Sequence, residues 1–418
     1  MGEKEASSRL ASLGFADGSL AFRNLRSLST GPLSGRIDTL LGLSLASPSP
    51  DAALNNLETI AAVAGPFIGG LTDDEIRGLI TICGSSAFLT GIIAKKPDYL
   101  GWLFSGGLFT EREADSLKRE IIERTRALST VDEVSREIRL FKQKEYLRIG
   151  SRDLLHIADV VGTTRELSDL ASGCLEAAIE FSSRHLKSSY GSPLYAEAEG
   201  EEPREAEFVC IGLGKLGGRE LNFSSDIDIL YVYSSDKGET TGIEGNESSR
   251  ISLHAFFVKL SMLTTKLISN VTDEGFAFRV DLDLRPEGRS GDVANSLRSA
   301  EIYYESWGQT WERAALIKAR PVAGSAALGE EFLSMIRPFV YRKYLDFTAI
   351  EEIKTMKEKI DLSLLRRNPD AVDVKLGAGG IREIEFFCQA LQLIHAGKDP
   401  EARERNTLSA IKKLSAKG

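Results

Sequence analysis

The stretch GLGKLGGRELNFSSDIDILYVY, residues 212–233, predicts the fold of the domain that contains it. It places the paired glycines Gly217 and Gly218 ahead of an Asp-Ile-Asp sequence that opens an apolar run typical of a β-strand. Asp226 and Asp228 lie two positions apart, and because side chains alternate along a strand, we expect both carboxylates on one face. A glycine turn followed by two such carboxylates indicates a metal-dependent nucleotidyl-transfer site.

This pair of carboxylates needs a positive partner. At an effective dielectric near 20, like charges about 4 Å apart repel by roughly 4 kcal/mol, so a bridging cation is expected. Oxygen ligands favour Mg²⁺ or Mn²⁺. Gly217 and Gly218 can bring backbone N–H groups close to phosphate oxygens, and Ser225 belongs to the same predicted nucleotide- and phosphate-binding set. The alternative for an isolated Asp-x-Asp is a solvated strand end.

A second acidic segment favours the metal site over that alternative. In FAFRVDLDLR, residues 276–285, apolar and charged side chains alternate strictly, which predicts a strand. A sheet that buries the apolar face carries the charged face beside Asp226 and Asp228, so that three or four acids surround one or two metal ions roughly 3.5–4 Å apart. The charged face consists of Arg279, Asp281, Asp283 and Arg285.

Other nucleotide-binding motifs explain the glycines less well. Gly212, Gly214 and Gly217 spell G-x-G-x-x-G, the dinucleotide-binding pattern, but that fold needs a full crossover helix before the next strand. Residues 218–225 are too few for such a helix. The sequence contains no G-x-x-x-x-G-K-[ST], which argues against a P-loop ATPase.

Six long blocks of the sequence carry a resemblance to a known family. They are FKQKEYLRIGSRDLL (141–155), GLGKLGGRELNFSSDIDIL (212–230), FRVDLDLRPEGRSG (278–291), YYESWGQTWERAALIKARPVAG (303–324), FVYRKYLDF (339–347) and KLGAGGIREIEFFCQALQLIHAG (375–397). These blocks resemble the bifunctional glutamine synthetase adenylyltransferase/deadenylylase family, and specifically its N-terminal half. The second acidic segment departs from the family pattern, which usually reads V-D-M-R-L-R-P. Asp281 matches the family's third acidic position, whereas Asp283 replaces a basic residue.

The resemblance implies an α+β fold, with a polymerase-β-like nucleotidyltransferase mixed sheet between helical N- and C-terminal regions. It implies that Asp226, Asp228 and Asp281 are catalytic and hold Mg²⁺ or Mn²⁺, as two ions. In the N-terminal half of these proteins, inorganic phosphate removes AMP from an adenylylated tyrosine of glutamine synthetase and ADP leaves. The expected partners are adenylylated glutamine synthetase and the PII signal protein, whose uridylylated form is expected to stimulate the reaction.

Two other functions stay open at this stage. An ATP-dependent adenylyltransferase would use the same metal site in the reverse direction, and a regulatory module would bind PII or glutamine synthetase without turnover. The chain starts at Met1, carries a long helical segment before the glycine turn and ends after one copy of the site, which favours the deadenylylating half. A helix over residues 406–418 without a clear stop signal suggests a fragment or split gene.

Basic residues are expected to bind the phosphates. Lys318 and Arg320 are the candidates, because the family match favours them over a solvated helix face. The glycine-rich turn at residues 375–380 runs into a predicted helix over 381–395 and could bind an anion, although an interdomain turn explains it nearly as well. Supporting roles are predicted for Asp283, Arg285, Arg382, Glu383 and Glu385.

Composition sets the broad class. A length of 418 residues suggests two or three domains, which we place at 1–105, 106–335 and 336–418. The net charge of −9 argues against a nucleic-acid partner. The longest apolar runs are too short for a membrane span, so no membrane partner and a cytoplasmic location are expected. Four scattered cysteines are expected to be reduced core residues.

Local patterns predict the elements around the site. Capping boxes predict helix starts in a chiefly helical N-terminal half. The polar stretches 187–207 and 234–250 are predicted to be a linker and a loop, and residues 251–270 an amphipathic helix. The four boxes are Thr72 with Glu75, Thr110 with Glu113, Thr130 with Glu133, and Thr163 with Glu166.

Overall fold

The computed structural model describes residues 2–198, 200–343, 351, 354, 355, 373–375 and 377–416. The predicted block 339–347 and region 336–418 therefore lie partly outside the described residues. The chain divides into two compact units. The first comprises residues 1–113 with 140–166, and the second comprises residues 114–139 with 167–418. These units do not coincide with the three predicted regions, whose boundaries stay a prediction.

The first unit is helical in its described residues. Its core is formed by apolar side chains such as Leu54, Leu57, Ile76 and Leu79, all fully buried. Two long helices, Val131–Leu154 and Val160–Tyr190, contribute residues to both units. The other helices of the first unit are Glu3–Leu13, Gly18–Leu28, Ile37–Leu45, Pro50–Val63, Gly65–Ile68, Asp73–Ser85, Ala87–Lys95 and Asp98–Phe104, with 3₁₀ turns at Ser34–Arg36 and Gly107–Phe109.

None of the described helices is by itself long and apolar enough to cross a membrane. Asp73–Ser85 and Ala87–Lys95 reach that length and composition only as a pair, which is bent by 117° at the break between them.

Two of the four predicted capping boxes start helices. Thr72 and Glu75 cap the helix Asp73–Ser85 reciprocally. Thr130 and Glu133 do the same for Val131–Leu154, where the Glu133 N–H donates to Thr130 Oγ1 at 3.3 Å and the Thr130 N–H to Glu133 Oε2 at 3.1 Å. In both cases a short polar side chain satisfies N–H groups that have no partner within the helix.

The other two predicted boxes are wrong. The helix after Thr110 begins only at Ala114, and the Thr110 hydroxyl donates back to the carbonyl of Gly106 at 2.9 Å. Thr163 lies inside the helix Val160–Tyr190. Its partner Glu166 is buried and forms an ion pair with Arg148 at 3.1 Å. The Glu166 carboxylate thus compensates the buried charge of Arg148 and does not cap the start of a helix.

The second unit combines helices with two small sheets. The predicted helix over 251–270 is confirmed as Leu253–Ser269, with Ser252 as its cap. The predicted C-terminal helix is Thr407–Ser415, capped by Asn406. The other described helices are Ala114–Arg126, Gly214–Gly217, Leu297–Ser306, Thr310–Leu316, Ala326–Val340 and Ile381–His395, with 3₁₀ turns at Glu247–Ser249, Gly288–Ser290 and Pro400–Ala402.

Eight described strands form the two sheets. They are β1 Pro193–Tyr195, β2 Arg204–Glu205, β3 Phe208–Gly212, β4 Ile227–Tyr233, β5 Glu239–Thr240, β6 Val280–Asp281, β7 Ala294–Ser296 and β8 Arg320–Gly324. One sheet has the order β2-β1-β5, and the other has the order β6-β4-β3-β8 with β7 paired to β4. The stretches predicted as a linker and a loop therefore contain β1, β2 and β5, a correction to the interpretation from polarity alone.

The larger sheet carries the glycine turn between β3 and β4. These strands are antiparallel, with Gly212 opposite Ile229, and β8 is antiparallel to β3 on its other side. β6 and β7 are parallel to β4, so the sheet is mixed. An antiparallel β3–β4 pair excludes the dinucleotide-binding unit, which needs parallel strands and a crossover. The mixed α+β class is therefore confirmed.

Apolar residues of β3 and β4 hold the sheet against neighbouring helices. Val209, Leu230 and Val232 belong to one buried cluster with Phe332 from the helix Ala326–Val340. All five residues of β3 are buried. Such a continuous apolar run indicates a central strand covered on both faces.

The cysteine prediction also holds in part, because Cys83, Cys174, Cys210 and Cys388 are all buried.

Candidate active site

The structure brings three predicted carboxylates together at the start of β4. In the parallel pair of β4 and β6, Asp228 is directly opposite Asp281. Asp226 lies one residue before β4, where the Ile227 N–H donates to the carbonyl of Arg279 at 2.9 Å. The second acidic segment thus lies beside the first, as the alternation predicted.

That segment forms a much shorter strand than predicted. β6 contains only Val280 and Asp281, and the chain then turns. The Asp283 N–H donates to Asp281 Oδ1 at 2.8 Å, a short-range bond that closes the turn immediately after the strand. The predicted strand over 276–285 is therefore wrong outside Val280 and Asp281, and after Asp281 a local side-chain bond competes with the sheet.

The environment of Asp228 disfavours the negative charge of its carboxylate. Burial, together with the negative charges of Asp281 and Asp226, raises the pKa of Asp228 from 3.8 to about 6. The positive charge of Lys375 acts in the opposite direction. A half-buried carboxylate with two like-charged neighbours favours a proton or a cation at this point. A bound positive ligand would therefore stabilise this cluster of carboxylates.

The glycine that approaches this cluster is Gly214. It has φ +49°, and a Cβ at this position would lie 2.3 Å from Asp228 Oδ2. The Leu213 N–H also donates to the Asp228 carbonyl at 2.8 Å. Only a residue without a side chain lets the turn lie this close to the carboxylate.

The structure gives Gly217 and Gly218 a role in backbone packing, and their predicted phosphate contact stays a prediction. A Cβ on Gly217 would lie 2.0 Å from the carbonyl oxygen of Lys318. Because glycine has no side chain, the backbone just before β8 can pack closely against the turn. A Cβ on Gly218 would lie 2.9 Å from the carbonyl oxygen of Arg405. Both glycines therefore allow close backbone packing. The Ser225 hydroxyl donates to Asn222 Oδ1 at 2.5 Å, within the loop before Asp226.

Lys318 is buried in an ion-pair network rather than exposed to a phosphate. Its side chain is 5% exposed, and Nζ binds the carboxylates of Glu220 and Glu385, the latter at 3.1 Å. Thr407 Oγ1 lies 3.0 Å from the same Nζ. Burial alone would lower the pKa of Lys318, but the two carboxylates raise it above the usual value. In this structure Lys318 therefore serves the ion-pair network, and its predicted phosphate contact stays a prediction.

Arg320 also stabilises the glycine turn by hydrogen bonds. Its guanidinium donates to the carbonyls of Gly217 at 3.2 Å and Leu216 at 2.9 Å. These are carbonyls at the end of the short helix Gly214–Gly217, where a cation is favourable. Burial, with the neighbouring charge of Arg219, lowers the pKa of Arg320 to about 10. Arg320 thus contacts the turn in this structure, and its predicted phosphate contact stays a prediction.

The predicted supporting residues near β6 stabilise the loop after it. Arg285 donates to the carbonyls of Leu282 at 2.9 Å and Gly291 at 3.1 Å. Asp283 pairs with Arg289 at 2.8 Å, and that hydrogen bond lowers the pKa of Asp283. Arg289 thus compensates the charge of Asp283, the residue that departs from the family pattern.

The supporting residues near the second glycine-rich turn lie at the start of the helix Ile381–His395. Glu383 Oε2 accepts the Gly379 N–H at 2.5 Å, and the Arg382 N–H donates to the carbonyl of Lys375. Glu385 joins Lys318 as described. Gly380, the residue before this helix, has no side chain that could cap it.

Two cations at the carboxylates were missing from the predicted set of site residues. The guanidinium of Arg279 pairs with Asp226, and the charge of Lys375 acts on Asp228. A signal for Arg279 was present, because it shares the charged face of the alternating segment with Asp281. Lys375 had no such signal, since it is distant in sequence from both acidic segments.

The three carboxylates do not form a ready metal site in this conformation. Within the described ranges, no group of three or more histidine, cysteine, aspartate or glutamate side chains is placed so that it could hold a metal ion. Asp226 instead pairs with Arg279. The donor types nevertheless suit Mg²⁺ or Mn²⁺, and the raised pKa of Asp228 indicates a need for positive charge there. Metal binding stays a prediction.

Comparison with known proteins identifies the family. Residues 76–335 match the glutamate-ammonia ligase adenylyltransferase family, and this match covers more than half of the chain. The chain belongs to this family. Residues 354–418 match a second family, described as PII-uridylyltransferase.

Individual relatives agree with the family match. The chain is 39% identical over 338 residues to the bifunctional glutamine synthetase adenylyltransferase/adenylyl-removing enzyme of Pseudomonas syringae pv. tomato, an alignment that covers 81% of the chain and 33% of that protein. The proteins of the same name from Pseudomonas aeruginosa and Shewanella loihica are 41% and 36% identical, over 75% and 82% of the chain and 31% and 35% of their own lengths. The chain thus spans about a third of the length of these relatives.

Proposed function

We propose that this chain removes AMP from an adenylylated tyrosine of glutamine synthetase by phosphorolysis. Inorganic phosphate attacks the phosphorus of the adenylyl group, the bond between phosphorus and the tyrosine oxygen breaks, and ADP and tyrosinate are released. The tyrosinate takes a proton from solvent. The observation that carries the proposal is the convergence of Asp226, Asp228 and Asp281 beside the glycine turn, in a chain of the adenylyltransferase family.

The arrangement of strands supports a polymerase-β-like core as part of this proposal. Two strands are joined by a glycine turn, an Asp-x-Asp lies at the start of the second strand, and a third aspartate lies on the strand beside it. Carboxylates on neighbouring strands at one end of a sheet can share bound ions. This topology is suited to nucleotidyl transfer.

Each residue of the site has a defined task in the proposal. Asp226, Asp228 and Asp281 would hold one or two Mg²⁺ or Mn²⁺ ions, which supply charge stabilisation to the reacting phosphates and to the leaving tyrosine oxygen. Because unperturbed tyrosine has a pKa near 10, its oxygen needs such stabilisation or a proton to leave. Gly214 keeps the turn close to Asp228, and Arg320 holds that turn by its carbonyls.

The test is a direct assay of phosphorolysis. The chain is incubated with adenylylated glutamine synthetase, Mg²⁺ and labelled phosphate, with and without uridylylated PII protein, and labelled ADP is measured. Phosphate-dependent ADP supports the proposal. The Asp226→Ala variant is expected to lose turnover while keeping its circular dichroism spectrum and unfolding midpoint, so an active variant would refute the assigned carboxylates.

The same assay separates the alternative functions. Incorporation of AMP from ATP into unmodified glutamine synthetase, without phosphate-dependent ADP, would assign the chain to the adenylylating direction. Binding of PII or glutamine synthetase without either reaction would assign it to a regulatory module. The cytoplasm stays the predicted location of the reaction.

A further inference from the structure

Arg279 occupies one carboxylate of the proposed metal site. Its Nε pairs with Asp226 Oδ1, and its Nη2 donates to the carbonyl of Ser224. The backbone of Arg279 is fixed, because its carbonyl accepts the Ile227 N–H at the entrance to β4. The guanidinium is thus attached to a rigid strand end, yet its side chain is 56% exposed.

The contact distinguishes Asp226 from the other two carboxylates. Among the ion pairs formed by described residues, Asp226 is the one carboxylate of the three that has a basic partner within 4 Å. Positive charge is therefore supplied to the exposed carboxylate of the three, because the side chain of Asp226 is 49% exposed whereas Asp228 and Asp281 are half-buried.

An exposed arginine–carboxylate pair is a replaceable contact. Such pairs contribute little to stability, because solvent screens them and two long side chains lose freedom. A divalent ion carries twice the charge of a guanidinium and would contact several carboxylates at once. The ion should therefore displace Arg279 from Asp226 without a large rearrangement.

We propose that Arg279 competes with the divalent ion for Asp226, and that the displaced guanidinium then binds a phosphate oxygen. The inference rests on the proposed function, since it requires a metal site at Asp226, Asp228 and Asp281. Arginine is suited to the second role, because its planar guanidinium can donate two parallel hydrogen bonds to phosphate.

Metal binding without turnover tests the first step. Mn²⁺ is titrated into the full chain and followed by electron paramagnetic resonance, with no nucleotide or glutamine synthetase present. Arg279→Gln should bind Mn²⁺ about three- to tenfold more tightly than the natural sequence, because its competitor is removed. The matched control is Arg298→Gln, an exposed arginine paired with Glu301, which should leave the Mn²⁺ affinity unchanged.

Phosphate binding tests the second step. With Mn²⁺ saturating, inorganic phosphate is titrated calorimetrically into the same proteins, and Arg279→Gln should bind phosphate about tenfold more weakly than Arg298→Gln. Arg279→Lys should recover Mn²⁺ competition in part, since the charge is retained, but less of the phosphate binding.

The outcomes separate the inference from the proposed function. If Mn²⁺ binds and Asp226→Asn weakens that binding, but Arg279→Gln has no effect or weakens it too, the competition is refuted while the metal site stands. If the natural sequence binds no Mn²⁺, or if Asp226→Asn changes nothing, both the metal site and the competition fail. Tighter Mn²⁺ with unchanged phosphate affinity would refute the released-guanidinium step.

Discussion

Two neighbouring aspartates on β6 and the turn after it have opposite electrostatic surroundings. Asp281 faces Asp228 across the parallel pair, and its negative charge raises the pKa of Asp228. Asp283 pairs with Arg289, and the hydrogen bond from Arg289 lowers the pKa of Asp283. Two residues of the same type, two positions apart, are thus expected to have different functions.

The first prediction compares these two aspartates. Asp281→Asn should lower phosphorolysis at least about a hundredfold, because it removes a proposed ion ligand. Asp283→Asn keeps the residue's shape, and it should change the rate less than about threefold, because Arg289 lies at the surface. The rates are measured under identical Mg²⁺ and phosphate concentrations. Equal losses in the two variants would contradict the assignment.

The second prediction concerns the pH dependence of stability in the presence of a chelator. The pKa of Asp228 in the folded protein is about 6, above its ordinary value of 3.8. A raised pKa means that the folded state favours the protonated form, so this contribution to stability is complete below about pH 4 and is lost as pH rises through about 6. The native chain should lose up to about 3 kcal/mol from this group across that window.

Asp228→Asn removes this titration and provides the measurement. In EDTA, urea unfolding of the variant and the natural sequence should give similar midpoints near pH 4, whereas the variant should be the more stable protein at pH 8. A constant difference between the two midpoints from pH 4 to pH 8 would show that Asp228 has no raised pKa.

At the scale of elements, the glycine turn is held between three partners. Gly214 lies against Asp228, Gly217 lies against the backbone of Lys318, and Arg320 donates to the carbonyls of the turn. The turn therefore connects β3, β4 and β8 through close backbone contacts. Its geometry is a property of the sheet as much as of its own sequence.

The third prediction separates backbone strain from steric contact in this turn. Gly214→Ala places a Cβ at a position with φ +49° and 2.3 Å from Asp228 Oδ2, whereas Gly245→Ala has φ +79° but meets nothing within 4 Å. Both variants should lose about 1–2 kcal/mol from the left-handed backbone. Only Gly214→Ala should also reduce phosphorolysis by at least about tenfold, because Asp228 must move. Unfolding midpoints and rates are measured for both variants, and full activity of Gly214→Ala would refute the contact.

At the scale of the whole second unit, Lys318 connects distant parts of the chain. Its Nζ binds Glu220, 98 residues away next to the glycine turn, and Glu385 in the helix Ile381–His395. The Thr407 N–H donates to Glu220 Oε2 at 2.9 Å, which brings the C-terminal helix to the same carboxylate. One buried cation thus joins the turn to the segment that matches the second family.

The fourth prediction is the cost of removing that cation. Lys318→Met leaves two partly buried carboxylates without compensation and should destabilise the second unit by about 3 kcal/mol. The control is Lys413→Met, because Lys413 is 48% exposed and its pair with Glu404 should contribute less than about 1 kcal/mol. Urea unfolding monitored by tryptophan fluorescence compares the two, and Lys318→Arg should recover part of the loss. Equal midpoints for Lys318→Met and Lys413→Met would contradict the network.

The sequence by itself determined the features that depend on short-range pattern. The Asp-x-Asp at the start of an apolar run, a connection too short for a crossover helix, and the helices Leu253–Ser269 and Ile381–His395 follow from periodicity and spacing. The family followed from long blocks of sequence. The pairing of the second acidic segment with the first was also predictable, because alternation assigns one face of a strand to charge.

Only the tertiary structure decided which charges meet. Lys318 and Arg320 were predicted to bind phosphate, but their partners come from residues far away in sequence, namely Glu220, Glu385 and the carbonyls of the glycine turn. Likewise, β6 ends at Asp281 because a side-chain bond closes a turn there. The physical reason is that an ion pair or a strand end depends on the distance between groups after folding, and residue pattern alone does not contain that distance.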